Sequence, residues 1–309
     1  MKSLTYKDFG GLFGATEEEV NSFCGELIDK NEFNYRELSL EERDSLLLKI
    51  MGTIYNDDLK SAGENRKNDW ESGWGENLND FTASSYDIGK LIPKYYKNKV
   101  PCRLNQDFIM PVSDNFVYNV TDVFRNLIFR KYLSNYENIY EFGCGTAHNL
   151  VLLSSLYPDK NLFGYDWSKP TLDIIDILRG KLKLNISGGL FDFFNPPNDV
   201  NIEKHSAVFT FGALEQTGAD HTKFVNFLLE QKPELVINIE CLNELYDESI
   251  LTDYLALKYH LKRNYLHNFI STLKNLESEG KIKIDNIYRQ KFGNIYNDTH
   301  SYVIWKPVF

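Results

Sequence analysis

The 309 residues carry 34 Lys and Arg against 44 Asp and Glu, a formal charge of −10. An acidic chain repels a phosphate backbone, which speaks against nucleic acid as the main partner. Hydrophobic residues make up 42 % and charged residues 25 %, an ordinary globular balance. No apolar run approaches a membrane span, and the first residues, with Lys2, Asp8 and Glu17, form no signal peptide. Cys24, Cys102, Cys144 and Cys241 are too scattered for a zinc site or a disulfide framework. The expectation is a cytoplasmic protein without metal, acting on a small molecule rather than a membrane. The aromatic share of 14 % is high and suits a pocket for a cation or an apolar group as well as a core.

Along the chain, Thr16-x-x-Glu19 forms a capping box ahead of Val20, Phe23, Cys24, Leu27 and Ile28, which share one helical face. Ser39-x-x-Glu42 opens a second helix carrying Leu46, Leu47, Ile50, Met51 and Ile54. Periodicity then stops over residues 55–80, a polar, glycine-bearing stretch that reads as a loop and holds Trp70 and Trp74. Two tryptophans in so polar a segment anchor it to the main body or make it a lid over a pocket. On the lid reading, residues 70–106, with Gln106 at the far end, border a substrate site. Residues 121–133 read as a helix with Val123, Phe124, Leu127, Ile128 and Phe129 on its apolar face.

Residues 138–147 spell Asn-Ile-Tyr-Glu-Phe-Gly-Cys-Gly-Thr-Ala: a short apolar strand, then a tight turn. Gly143 and Gly145 let the backbone turn and let a ligand approach it. The helix that follows, over residues 148–156, presents unsatisfied N–H groups to the turn. Short strands and helices then alternate: strands at 161–166, 188–192, 206–212 and 235–239, a helix at 171–182, and a long helical stretch over 250–278. Residues 281–292 and 301–308 read as a closing hairpin. Such alternation predicts an α/β fold with a doubly wound, mostly parallel sheet.

The glycine turn suits a dinucleotide enzyme, but Glu141, two residues before the first glycine, would repel a pyrophosphate, and His148 stands where that pattern needs a third glycine. Glu141-x-Gly143-x-Gly145, with Ala147 for the third glycine, resembles the first motif of class I S-adenosylmethionine (SAM) dependent methyltransferases. The resemblance covers roughly residues 121–309, placing a helical extension or lid at 1–120. It implies a seven-stranded sheet whose last strand runs antiparallel, SAM as cofactor, and methyl transfer to a small-molecule acceptor such as a sugar, sugar nucleotide or other anionic metabolite. A non-catalytic domain that binds SAM or a partner is the alternative.

By the same resemblance Glu141, Gly143, Gly145 and Thr146 cradle the cofactor. Asp166 binds the ribose hydroxyls, unless it only caps the next helix. Trp167 flanks the adenine, and Asp192 with Phe193 meets its amino edge, although Asp192 also suits a turn before Pro196. Gly212-Ala213-Leu214-Glu215-Gln216 is similar to the Leu-Glu-His segment beneath the sulfonium, with Gln216 replacing the histidine. A base, where the nucleophile needs one, is then to be sought in Glu215, His221 or Glu240. Tyr118, near the start of the 121–133 helix, and a basic wall from His260 and Arg263 complete the expected substrate contacts.

Overall fold

The computed structural model describes residues 1–96 and 99–308. Three helices near the amino end are each opened by a reciprocal capping box. They are α1 (Tyr6–Phe13, capped by Thr5), α2 (Glu17–Asp29, capped by Thr16) and α3 (Leu40–Ile54, capped by Ser39). Two backbone donors are satisfied at each start, and acidic residues in the first turn meet the positive end of the helix dipole.

The stretch expected to be a loop is instead a 17-residue helix, α4 (Lys67–Ala83). Trp70, Trp74, Asn77 and Phe81 fall at i, i+4, i+7 and i+11, one continuous face. Gly73, Gly75 and the charged residues of the outer face hide that stripe from the sequence.

The amino-terminal region is not purely helical. β1 (Lys2–Ser3), β2 (Asn34–Glu37), β3 (Cys102–Leu104) and β4 (Asp107–Pro111) form an antiparallel sheet in the order β1-β2-β4-β3. Helix α5 (Phe116–Ile128) starts before the expected boundary and continues as a π-helical turn over Phe129–Leu133, so Tyr118 lies inside the helix.

The main sheet begins with β5 (Asn138–Phe142), followed by α6 (His148–Leu156), β6 (Asn161–Asp166), α7 (Lys169–Gly180) and β7 (Ile186–Leu190). Next come β8 (Ser206–Phe211), α8 (Thr222–Gln231) and β9 (Leu235–Glu240). The long helical stretch divides into α9 (Leu251–Arg263) and α10 (Phe269–Ser278), because Asn264 and Asn268 both adopt positive φ between them. The chain closes with β10 (Ile282–Tyr288), β11 (Phe292–Gly293) and β12 (Ser301–Pro307). β11, expected to continue β10, leaves for the amino-terminal sheet and pairs with β3.

The order β10-β12-β9-β8-β5-β6-β7 reads 3-2-1-4-5-7-6 from the β7 edge, with β12 antiparallel to both neighbours. This is the fold of the class I methyltransferases. Among the described residues no helix is long and apolar enough to cross a membrane. β6 lies on one side of β5 and β8 on the other, so the connections part at the carboxyl ends of β5 and β8 and open a crevice there.

Candidate functional site

The crevice is a cleft bounded below by the glycine turn and above by α4 and the segment after it. Gly143 and Gly145 hold φ of +76° and +52°. A Cβ on Gly143 would stand 2.2 Å from that of Ala213, so only glycine closes the turn against the segment after β8. Ala147, the substitute for a third glycine, also takes a left-handed φ of +58°, at a strain of about 1–2 kcal/mol for a residue with a Cβ.

Two buried groups, one acidic and one basic, line this cleft with capacity to spare. Glu141 is 1 % exposed; its Oε1 accepts from Asn149 Nδ2 at 2.6 Å, while Oε2 is buried without a partner. Burial pushes its carboxyl up to about 8, only partly offset by the Asn149 amide and the Arg125 guanidinium. Arg125, on α5, is 2 % exposed. It makes a 3.4 Å ion pair with Asp122 one turn earlier, and its Nε is buried without a partner. The sequence held a signal for it: Arg125 is a cation embedded in the apolar run Val123, Phe124, Leu127, Ile128, and a buried guanidinium needs an anion.

Asp166, at the end of β6, lines the cleft and accepts backbone N–H groups at both oxygens, from Gly145 at 3.0 Å and Ser168 at 2.9 Å. It therefore ties the glycine turn to the start of α7, and each oxygen keeps a lone pair for a ligand. Burial raises it to about 6 against the pull of those amides. Trp167 stacks on Phe194 at 6.2 Å, with Phe191 and Phe193 beside them on the cleft. Asp192 does not line it: the residue lies two positions past the end of β7, and its carboxylate accepts from the Phe194 N–H at 2.9 Å. Thr146 lines the cleft, but its hydroxyl donates to Leu91 O at 2.6 Å and fastens the covering segment down.

The cover is aromatic. Trp70 and Trp74 stack at 5.4 Å, and a Cβ on Gly145 would meet the Trp74 ring at 2.9 Å. Pro93, Tyr95 and Tyr96 extend the same wall. Trp74→Ala is expected to loosen this cover and raise the dissociation constant for an occupant of the glycine turn about tenfold, the scale of a lost aromatic contact. Titration calorimetry checks it; an unchanged constant with a lowered melting temperature would leave Trp74 as an anchor alone.

Several expected site residues lie elsewhere. Gln106 is held outside the cleft between Asp253 and Lys291, both at 2.9 Å. His260 is buried against Asn297 at 3.2 Å and pushed down to about 3 by burial. Arg263 binds the Lys60 carbonyl and the Tyr265 hydroxyl, joining α9 to the start of the cover. The basic wall is therefore not at the cleft; its members found partners distant in sequence. Tyr118 stands behind His148, 3.4 Å from its Nε2, and does not itself line the cavity.

The three carboxylate and histidine candidates for a base are also withdrawn. Glu240 is fully buried and collects the N–H groups of Ala213, Leu214 and Glu215 at 3.3, 3.1 and 3.0 Å, shaping the turn after β8. Glu215 is taken by Gln216 Nε2 at 3.1 Å and by the Cys241 thiol. His221 sits at the start of α8 against Thr272 and Phe269, with burial lowering its basicity. Leu214 points its packing to the core, whereas Gly212, Ala213, Gln216 and Thr217 face the cleft.

The sequence matches no protein-family model, and no curated protein matches it. Among solved structures, it overlaps human N-acetylserotonin methyltransferase in complex with SAM over 93 % of this chain and 69 % of that one, at 12 % identity and a TM-score of 0.45. The N,N-8-amino-8-demethyl-D-riboflavin dimethyltransferase of Streptomyces davawensis overlaps over 99 % and 89 %, at 11 % identity and 0.42. PKMT2 from Rickettsia typhi, in complex with AdoHcy, overlaps over 56 % of this chain, at 10 % identity and 0.41; the chain spans about half of its length.

Proposed function

We propose that the protein is a SAM-dependent methyltransferase acting on a small molecule. The observation that carries this is the pair of buried, under-satisfied groups at the cleft, the carboxyl oxygen Glu141 Oε2 and the guanidinium nitrogen Arg125 Nε. An ammonium group suits the first and a carboxylate the second, so the pair is matched to the zwitterionic end of an amino acid. A dinucleotide would set its anionic pyrophosphate, not a cation, against Glu141 at this turn. Asp166 holds lone pairs for ribose hydroxyls, and Trp167 with Phe194 offers a slot for a flat base. The cofactor's contribution when bound is a methyl group already activated on a sulfonium.

The chain's own residues then bind, orient and exclude water. Glu141 and Arg125 fix the amino-acid end, and Asp166 the sugar. Trp74, Tyr95 and Tyr96 cover the cleft, so much of the acceleration is positional. With Glu215, Glu240 and His221 committed elsewhere, the arrangement favours an acceptor that needs no strong base, such as an amine. An anionic acceptor lacks support as well: Arg125 is the one guanidinium or ammonium among the described residues lining the cleft, and the cofactor carboxylate claims it.

Calorimetry with S-adenosylhomocysteine tests the reading: binding at micromolar concentration, and none by NAD, is the expected result. Absence of binding at millimolar concentration would sink it. A non-catalytic domain of this fold would bind the same ligand yet leave methyl-labelled SAM unconsumed with every acceptor offered.

A further inference from the structure

Beyond the groups assigned to the cofactor, Gln216 brings a further acceptor to the cleft. Gln216 is 6 % exposed, lines the cleft, and its Oε1 is buried without a partner. Its orientation is fixed from the other side, because Nε2 donates to Glu215 Oε1 at 3.1 Å. Turning the amide over would set its oxygen against the carboxylate oxygen, so Gln216 can present only an acceptor to the cavity. Glu215 is itself held by Cys241, and its backbone N–H by Glu240, so the whole turn is rigid.

The remaining walls near the cover are rings: Trp70, Trp74, Tyr95, Tyr96 and Phe211. A planar aromatic molecule fills such walls best. A buried lone carbonyl among them selects a partner with a hydrogen to donate, because a molecule without one leaves that oxygen unsatisfied.

Resting on the methyltransferase reading, we propose that Gln216 determines the class of acceptor: a neutral aromatic amine, one N–H of which is received by Gln216 Oε1 while the nitrogen lone pair takes the methyl group from the sulfonium, leaving the thioether, and the surplus proton then passes to water. A carboxylate, a fully alkylated nitrogen or an ether oxygen has no hydrogen for it and is rejected. The rejection would stop a nitrogen acceptor once its last hydrogen is replaced.

Aniline and toluene, alike in shape and differing in the donor, are suitable probes. Their affinities would be measured by ligand-detected NMR, both with saturating S-adenosylhomocysteine and without it. The expected result is aniline bound about fivefold more tightly than toluene, the yield of one neutral hydrogen bond. In Gln216→Leu the ratio should fall to about one while toluene binding is kept. If Gln216→Leu loses toluene binding, Gln216→Asn, which withdraws the amide by one methylene, takes its place with the same expectation.

No preference in the wild type overturns the proposal. So does a preference that survives in the variant, since aniline would then sit on another acceptor such as Glu141. Loss of homocysteine-ligand binding alone would overturn the SAM reading while leaving the aniline-to-toluene ratio to judge Gln216.

Discussion

Glu141→Ala should raise the dissociation constant for S-adenosylhomocysteine by roughly two to four orders of magnitude, without destabilising the free protein. The first half follows from what the ligand's ammonium loses: the buried counter-charge at the end of β5. Breaking one side of a buried, hydrogen-bonded charge pair costs roughly 3–5 kcal/mol. The second half follows from the free protein, in which Glu141 Oε2 has no partner and burial already penalises the carboxylate. Removing it relieves that penalty, so the melting temperature should hold or rise, as is common where a site is built at the expense of stability. Arg125→Met should weaken binding through the carboxylate in the same way, while releasing Asp122 from its 3.4 Å pair. Calorimetry and thermal unfolding on the same preparations give both quantities. A Glu141→Ala protein that binds within threefold of wild type would move the ammonium away from β5 altogether.

The parts of the fold legible in the sequence are those in which one local pattern decides. Each strand from β5 to β9 is a short apolar run with a helix or turn signal behind it. The capping boxes at Thr16 and Ser39 mark helix starts without any tertiary information. Gly143 and Gly145 could be placed because a tight turn before a helix needs glycine there, whereas Glu141 and Asp166 were singled out through the resemblance that the turn carries. Helix α4 was hidden because its inward stripe has only four members and is diluted by two glycines. The amino-terminal sheet was hidden because its strands are two to five residues long and its last member comes from near the other end of the chain.

Polar residues failed for a further reason: their partners are set by tertiary structure alone. Arg103, Asp253, Arg289 and Asp298 close a buried network over sequence separations of up to 195 residues. Gln106 joins that network through Asp253, and His260 and Arg263 are spent nearby on Asn297 and the Lys60 carbonyl. What looked like a substrate wall is the fastening between α9 and the amino-terminal region. Conversely, Arg125 drew no expectation from the sequence and is a buried cation lining the cleft.

Binding of S-adenosylhomocysteine near neutral pH should release close to one proton, and its affinity should climb with pH up to about 8. In the free protein Glu141 is raised to about 8 by burial, against about 4.3 for an exposed glutamate. Between those values the folded chain holds a proton that the unfolded chain has given up. The stability this group contributes is therefore complete below about 4.3 and is lost as the pH rises through about 8. Glu240, also pushed up to about 8, acts in the same direction, so the ligand-free protein should melt at lower temperature at pH 8 than at pH 5.

An ammonium placed against Glu141 favours the ionised carboxylate and expels the proton. Below pH 8 each unit of pH should then change the affinity about tenfold, by linkage between proton and ligand. Titrations in phosphate and in Tris, whose ionisation enthalpies differ, count the protons directly. Glu240 does not line the cleft and should keep its proton through binding, so the release should vanish in Glu141→Gln while the fall in melting temperature with pH persists in part. A pH-independent affinity between 6 and 8 in the wild type would mean that Glu141 does not face the ligand's ammonium.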